Sequence, residues 1–531
     1  MITVTAIRRW WWPLLFLVVG ALAAEERTAL AAEQRQPNVI LILMDDMGWR
    51  DVGFMGNRFV DTPAIDALAR GGLVFTQAYA SAPNCAPTRA CLMSGQVTPR
   101  HGVYTVVDPR QPPGSAWHKL LAAESHSDLA TDVVTLPEAL GTAGYATAFF
   151  GMWNLGRGRT GPTTPGGQGF ETVVFPENLG FGKDAYHDDA GNYLSDRLTD
   201  ELLDFVERER DRPFFAYFAD HAVHAPYDPP TDLVAKYEGK YEGKYEGKGD
   251  GDRRDNAAYA ATIEGVDRNV ARIVAALDRL ALREETLLVF TSDNGGTPQF
   301  TPPLRGSKGQ LYEGGIRVPL VVSWPGHVSP GSTAIPVATV DLYPTLLDLC
   351  RAAAPAGQPL DGMSLAGLLA GKEAPERERL FWHFPCYVGK ATPSSAVREG
   401  DWKLVEFFED GGHVELFSLN DDPHEQNDLA AVERQRADAL TKTLHAWQAA
   451  TGAAIPNAAN PAYDPAADRP RGGPGAGGGG DPQGGRQTQK GGKGGKRGGD
   501  GRQPGAGGRV GGASRAPLPS GDGERRPRPR Q

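Results

Sequence analysis

Apolar residues in this chain come in short runs that end on clusters of acidic, amide or histidine side chains. Asn38-Val-Ile-Leu-Ile-Leu-Met44 runs into Asp45-Asp46, and Ala146-Thr-Ala-Phe-Phe150 into Gly151-Met152-Trp153-Asn154. Pro213-Phe-Phe-Ala-Tyr-Phe-Ala219 leads to Asp220-His221 and then His224. Thr286-Leu-Leu-Val-Phe290 leads to Ser292-Asp293-Asn294-Gly295-Gly296, and Val318-Pro-Leu-Val-Val-Ser323 to Trp324-Pro325-Gly326. Continuous apolar runs of this length, rich in β-branched and aromatic residues, predict strands buried on both faces. Between them, Ile263, Val266, Val270, Ile273, Val274, Leu277 and Leu280 recur at three- and four-residue spacing, which predicts a helix from Ala257 to Leu280. A shorter helix is predicted from Thr135 to Gly144, with Pro137 near its start and Gly144 at its end. Strands alternating with helices predict an α/β fold with a mostly parallel sheet covered on both faces. In such sheets ligands bind beyond the carboxyl ends of the strands, where the polar clusters fall.

The pattern changes near Arg377. Leu380-Phe-Trp-His-Phe384, the run Ala396 to Val405, and Glu415-Leu-Phe-Ser-Leu-Asn-Asp-Asp-Pro423 read as strands and turns, followed by a helix around Val432 to Ala449. This predicts a small antiparallel sheet with one packed helix. An internal repeat, Lys236-Tyr-Glu-Gly, recurs from Lys240 and Lys244. Its four-residue period is too short for a solenoid unit, and it reads as an expanded surface loop before the long helix.

The two ends differ from the rest. Arg8 and Arg9 precede an apolar stretch, Trp10 to Ala24, that ends in Ala21-Leu22-Ala23. This is the pattern of a cleaved export signal at 1–24. An uncleaved anchor is the alternative, and the stretch is short for a span of ~20 residues. From Asn457 the chain is mostly Gly, Pro, Arg and Lys with no apolar period, which predicts a disordered tail over 457–531. That tail holds 14 Lys and Arg against 6 Asp and Glu, so against −10 for the whole chain the remainder carries about −18. The tail can contact an anionic surface or be a solvated appendage. It lacks the interleaved aromatic residues of a specific nucleic-acid binder. The four cysteines, Cys85, Cys91, Cys350 and Cys386, are too few for a disulfide scaffold. One bridge, for example Cys350 with Cys386, is compatible with the count. A free thiol at Cys85 in an oxidising compartment calls for a reason.

Cys85-Ala86-Pro87-Thr88-Arg89, continued by Leu92, Ser94 and Gly95, resembles the motif of the formylglycine-dependent (type I) sulfatases of the alkaline-phosphatase superfamily. The resemblance extends over about residues 36 to 450. It implies a catalytic domain over 36–375, with a mixed sheet between helices, and a small C-terminal α+β subdomain over 376–456. It also implies that a formylglycine-generating enzyme oxidises Cys85 to an aldehyde. The hydrated aldehyde attacks sulfur, and its second hydroxyl then expels sulfate.

Asp45-Asp46 and Asp293-Asn294 each end a predicted strand. A single pair of this kind commonly forms a loop or a helix cap. Two pairs flanking the Cys85 motif suit a hard cation, since Ca2+ takes six to eight oxygen ligands. The resemblance implies that Asp45, Asp46, Asp293, Asn294 and the modified Cys85 hold Ca2+, with Mg2+ as the alternative. Arg89 follows Cys85 by four residues, one helical turn if the motif opens a helix, and is implied to hold the hydrated aldehyde. Lys308, in Arg305-Gly306-Ser307-Lys308-Gly309, is implied to grip the sulfate and the leaving oxygen. Outside this context a lysine in a glycine-rich loop would be solvated. His224, in His224-Ala225-Pro226, is implied to protonate or hydrogen-bond the leaving group, with His221 as a competitor.

One segment departs from the family pattern. The usual Gly-Lys-Trp-His-Leu-Gly is here Gly151-Met152-Trp153-Asn154-Leu155-Gly156. Met152 stands where a lysine would touch sulfate, and Asn154 where a histidine would take a proton. Neither can do so, because Met is uncharged and Asn accepts no proton at neutral pH. Both are still expected to line the substrate pocket. Three outcomes follow. His221 or His101 replaces the lost base; the substrate is a phosphodiester or phosphonate monoester; or the protein is a catalytically weak binder of sulfated glycans. The leading expectation is an exported enzyme (periplasmic, extracellular or envelope-associated) that hydrolyses a sulfate ester of a small molecule or, more specifically, a carbohydrate.

Overall fold

All seven residues of Asn38–Met44 are buried, because this strand lies inside a sheet that has helices on both faces. The computed structural model describes residues 36–106, 114–182, 185–242, 257–298, 301–372 and 374–467. The expected signal at 1–24 and the tail beyond 467 lie outside them.

In chain order the strands are β1 (Asn38–Met44), β2 (Leu73–Phe75), β3 (Ala78–Tyr79), β4 (Ala146–Gly151), β5 (Thr172–Val174), β6 (Phe214–Asp220) and β7 (Thr286–Ser292). They continue as β8 (Leu320–Ser323), β9 (Gly331–Thr333), β10 (Val337–Ala338), β11 (Arg379–Phe384), β12 (Ser394–Glu399), β13 (Trp402–Phe407) and β14 (His413–Ser418). The large sheet runs in the order β5-β4-β6-β1-β7-β8-β2-β9. β8 is antiparallel to both its neighbours and the other pairings are parallel, so the sheet is mostly parallel and mixed.

Strand register decides where the polar clusters meet. Met44 of β1 pairs with Asp220 of β6 and with Ser292 of β7. Gly151 of β4 pairs with Ala219 of β6. The residues after these ends therefore emerge side by side at one edge of the sheet.

The alternation along β1 feeds two separate cores. Ile40, Ile42 and Met44 pack with Ile263, Val266, Val270 and Ile273 of the helix Ala257–Arg279. Val39, Leu41 and Leu43 pack on the opposite face with Leu92, Met93, Leu342 and Leu346. Each such fully buried side chain contributes about 1.5–3 kcal/mol relative to exposure.

The C-terminal sheet is antiparallel, in the order β11-β12-β13-β14. The helix Arg434–Thr451 packs Ala437, Leu440 and Leu444 on Val397, Leu404 and Leu416. The other face carries Trp382, Ala396 and Val405 against Tyr79, Leu311 and Ile316 of the larger part. Trp382 also donates its indole N–H to the Ala80 carbonyl at 2.9 Å.

The run Ala396 to Val405, read as strand and turn, lies in the hairpin β12–β13, turned at Gly400 with φ +57°, a conformation glycine adopts freely. Other sequence expectations need correction. The start of the Lys-Tyr-Glu-Gly repeat is not loop but part of the helix Thr231–Glu242. Tyr237 there is fully buried, and Lys236 and Lys240 pair with Asp61 at 2.8 and 2.9 Å. Cys350 and Cys386 form no disulfide; all four cysteines are free and buried. Residues 457–467, assigned by composition to the tail, lie along the 115–121 segment. There Leu121 N–H donates to Ala458 O at 2.8 Å and Asn460 N–H to Lys119 O at 2.9 Å. No helix among the described residues is long and apolar enough to cross a membrane.

Trp382 is 1% exposed and joins the small sheet to the rest. Trp382→Ala is expected to destabilise the protein by about 3–5 kcal/mol, the range for an aromatic side chain removed from a core. The measurement is the denaturant midpoint, with detachment of the small sheet as the first transition.

Candidate active site

The segment Asn84 to Ser94 explains how Cys85 and Arg89 come together. Asn84 is extended, Cys85 opens the helix Cys85–Ser94, and Gly95 ends it in the left-handed conformation at φ +69°. Every residue of this helix is buried. One turn separates Cys85 from Arg89, so the two side chains face the same strand ends.

Arg89 is fully buried and ties two strands together. Its Nε and Nη2 donate to Asp293 Oδ2 at 3.0 and 2.8 Å, and Nη2 also to Asp45 Oδ2 at 3.1 Å. Its Nη1 donates to the main-chain oxygen of Met152. One guanidinium thus joins the ends of β1, β7 and β4.

Beyond β1 the backbone turns through the left-handed region at Asp46, φ +65°, which Asp tolerates. Asp46 Oδ1 meets the Lys308 ammonium at 2.6 Å and accepts the Asn294 side-chain N–H at 2.8 Å. Asp46 N–H donates to Asp293 Oδ1 at 3.2 Å. Lys308 is held by its main chain as well, donating N–H to Gly296 O at 3.0 Å. Three carboxylates therefore face two cations. Burial, with the neighbouring Asp45 charge, pushes Asp293 up to about 7. Asp45 is held well below the usual carboxylate range because Arg89 and His221 outweigh the opposing effect of burial.

Two buried oxygens in this cluster, Asp45 Oδ1 and Asn294 Oδ1, have no hydrogen-bond donor. Ligand atoms of Asp45, Cys85 and Asp293 lie within 4.8 Å of one another, as do those of Asp45, Asp46 and His224. Hard oxygen donors without protons, in a cluster short of positive charge, fit a divalent cation of the Ca2+ or Mg2+ type.

Both histidines after β6 reach the cluster. His221 Nδ1 lies 3.1 Å from Asp45 Oδ2, and His224 Nε2 lies 3.7 Å from Asp46 Oδ2. His224 Nδ1 donates to Ala225 O at 2.7 Å, so Nε2 is the ring nitrogen left to exchange a proton. The two rings stack at 4.6 Å. His101 is elsewhere. It is buried with Nε2 3.4 Å from Cys91 Sγ, its Nδ1 accepts from Val103 N–H, and burial lowers it to about 3, so it does not replace the missing base.

Met152 and Asn154 follow β4 at the same edge, each half-buried, with Asn154 at φ +60°. Their pocket neighbour Trp153 is buried and donates Nε1–H to Thr163 O at 2.9 Å. Sequence reasoning missed Tyr186. Its hydroxyl donates to the carbonyls of His221 and His224 at 3.0 and 2.6 Å, and its ring stacks on His221 at 5.5 Å. It comes from a loop 35 residues upstream of His221 and carries no motif, so nothing in the sequence marks it.

The Cys85 thiol is buried and pushed up to about 12, mainly by burial, so an unmodified Cys85 is protonated at neutral pH. A protonated thiol is a poor nucleophile.

Comparison with known proteins agrees with this geometry. The sulfatase family model matches residues 37–352, and the model for the C-terminal part of N-sulphoglucosamine sulphohydrolase matches residues 307–450. A sulfatase of Formosa agariphila is 31% identical over 78% of this chain and 89% of its own length. Human arylsulfatase A is 31% identical over 76% of this chain and 81% of its own. The crystal structure of Ps i-CgsB superposes with a TM-score of 0.64 at 28% identity, covering 78% of this chain and 93% of that one. With this sheet, this site and these relatives, the chain belongs to the sulfatase family and is a hydrolase of sulfuric esters.

Proposed function

We propose that this sulfatase acts through a formylglycine made from Cys85, with Ca2+ (Mg2+ as the alternative) held by Asp45, Asp46, Asp293 and Asn294, and that its substrate is a sulfated carbohydrate outside the cytoplasm. The observation that carries this reading is the convergence of Cys85, Arg89 and Lys308 on three buried carboxylates, with Asp45 Oδ1 and the neighbouring Asn294 Oδ1 left without a donor.

When present, the hydrated aldehyde at position 85 would supply the attacking oxygen, and a cation held by Asp45, Asp46, Asp293 and Asn294 would supply charge stabilisation. The chain's own groups do the rest. Arg89, pinned by Asp45 and Asp293, orients the hydroxyls at position 85. Lys308 offers a charged donor to the sulfate oxygens. His224, with Nδ1 committed to Ala225 O, presents Nε2 to the leaving oxygen. Met152 and Asn154 add neither charge nor base, so sulfate release is the slow half of the cycle. A sulfated carbohydrate is supported by the complex of Ps i-CgsB with k-i-k-neocarrahexaose. Export is supported by the apolar segment Trp10 to Ala24 behind Arg8 and Arg9.

The direct test is a mass spectrum of the peptide containing Cys85, from protein made in its native host. The aldehyde is expected, and an unmodified thiol throughout would refute the chemistry. Hydrolysis of a sulfate ester is expected to exceed that of a phosphonate ester of the same leaving group; the reverse preference would favour the phosphonate reading.

Met152→Lys with Asn154→His is expected to raise kcat on an aryl sulfate by at least about 10-fold, given that a placed acid–base group contributes ~10²–10⁴. A fast wild type that the double change slows would show that release is not impaired.

The raised Asp293 gives the cation a pH signature. Above about pH 4 the unfolded chain releases this proton while the folded one keeps it to about 7, so stability falls as pH rises across that window. A bound cation displaces the proton, and its stabilising effect grows with pH. In excess chelator the thermal midpoint is expected to be lower at pH 8 than at pH 5.5, and added Ca2+ to raise it more at pH 8. Asp293→Asn should flatten both trends. Equal Ca2+ shifts at the two pH values would count against the site.

A further inference from the structure

We infer that Glu425 and Lys403, both on the C-terminal module and remote in sequence from the site, are positioning residues that set the placement of Lys308. The inference rests on the reading of Lys308 as the group that holds sulfate.

Lys403, on β13, is fully buried between two carboxylates, with Nζ 3.0 Å from Glu313 Oε1 and 2.9 Å from Glu425 Oε1. The other oxygen of Glu425 accepts the main-chain N–H of Glu313 at 2.6 Å. Glu313 Oε2 in turn accepts from the Tyr79 hydroxyl at 2.9 Å and lies 3.4 Å from Arg317. Glu425 itself sits at φ +55°, and its carbonyl accepts from Arg305 Nη1 at 3.0 Å. Arg305 also pairs with Glu415 of β14 at 3.1 Å, and that carboxylate accepts from the Tyr312 hydroxyl at 2.8 Å. Arg305 and Tyr312–Glu313 are the two feet of the loop that carries Lys308. Both feet are therefore gripped by the C-terminal module.

The loop has little slack with which to absorb a shift at its feet. Gly314 N–H donates to Arg305 O at 2.7 Å and closes its base. Gly309 N–H donates to Pro83 O at 2.7 Å, two residues before Cys85, and Gly295 N–H donates to Gly315 O at 2.9 Å, one residue after Asn294. The backbones touch so closely that a β-carbon on Gly295 would lie 2.0 Å from Gly314 O, and one on Gly315 would lie 2.0 Å from Gln310 O. A displacement of Glu313 therefore passes to Lys308 and to the strand end beside it.

Attachment alone does not require these charges. The apolar contact of Trp382, Ala396 and Val405 with Tyr79 and Ile316 already joins the two parts. Burying ions costs desolvation energy that an apolar cluster of the same volume avoids. What the charged cluster adds is direction: Lys403 donates to Glu313 Oε1, Glu313 N–H donates to Glu425 Oε2, and so two atoms of the loop's foot are fixed.

The test uses the full-length matured enzyme in four forms: wild type, Glu425→Gln, Lys308→Ala and the double variant. KM for an aryl sulfate is measured together with binding of inorganic sulfate, read from the sulfate-dependent rise in thermal midpoint. Glu425→Gln is expected to weaken sulfate binding and raise KM by about 10- to 100-fold, the cost of a displaced positioning group. In the Lys308→Ala background it should add nothing further, because both changes act through one group. A lowered thermal midpoint with KM and sulfate binding unchanged would overturn the inference, as would an effect of equal size in both backgrounds. If Lys308→Ala alone leaves sulfate binding intact, Lys308 is removed from the sulfate site and the inference goes with it. Should Glu425→Gln fail to fold, Lys403→Arg, which keeps the charge but changes its geometry, carries the same expected signs.

Discussion

The site depends on one buried guanidinium. Arg89 has no contact with water and holds Asp45 and Asp293, the residues that follow the central strand and its neighbour. Without it, three carboxylates would converge with only Lys308 to balance them, and an unpaired buried charge costs several kcal/mol. The same group fixes the Met152 carbonyl and so the start of the segment after β4. Parallel strands deliver polar residues to one edge, but mutual repulsion would splay them. A cation on a wholly buried helix keeps them together.

Much of this was legible from sequence because the signals are local. Val39 to Leu43 is apolar at every position, which marks a strand covered on both faces. The motif from Cys85 to Gly95 contains its own helix start and stop. The large sheet, the long helix near Ala257 and the four-stranded small sheet follow from such patterns. The helix Thr231–Glu242 was hidden because its apolar content is low and Tyr237 is buried through its hydroxyl partners. Tyr186 and the Lys403–Glu313–Glu425 cluster were not legible, since each unites residues that only the tertiary fold brings together. His101 shows the converse. A histidine near a catalytic motif in sequence faces a different cysteine in space.

The departure at Met152 and Asn154 now has a structural setting. Met152 still supplies the main-chain acceptor for Arg89, so the scaffold role of this segment survives the loss of its side-chain chemistry. Against the family pattern given above, the segment would lack one charge and one proton acceptor. This separates two tasks that a lysine and a histidine would otherwise perform together with the backbone: holding the architecture and turning over sulfate.

The complete burial of the helix Cys85–Ser94 also sets a clock. Arg89 reaches its partner Asp293 across 204 residues of chain. During synthesis at ~5–20 residues per second, that partner emerges about 10 to 40 s after the helix does. Until then β7 is missing, β1 has only one of its neighbours, and the segment around Cys85 cannot be sealed into the interior. Parallel strands paired over such separations also form slowly once the chain is complete. An enzyme that converts Cys85, as proposed above, would therefore work within a window defined by topology, and a change that speeds closure of this sheet would shorten that window without touching Cys85.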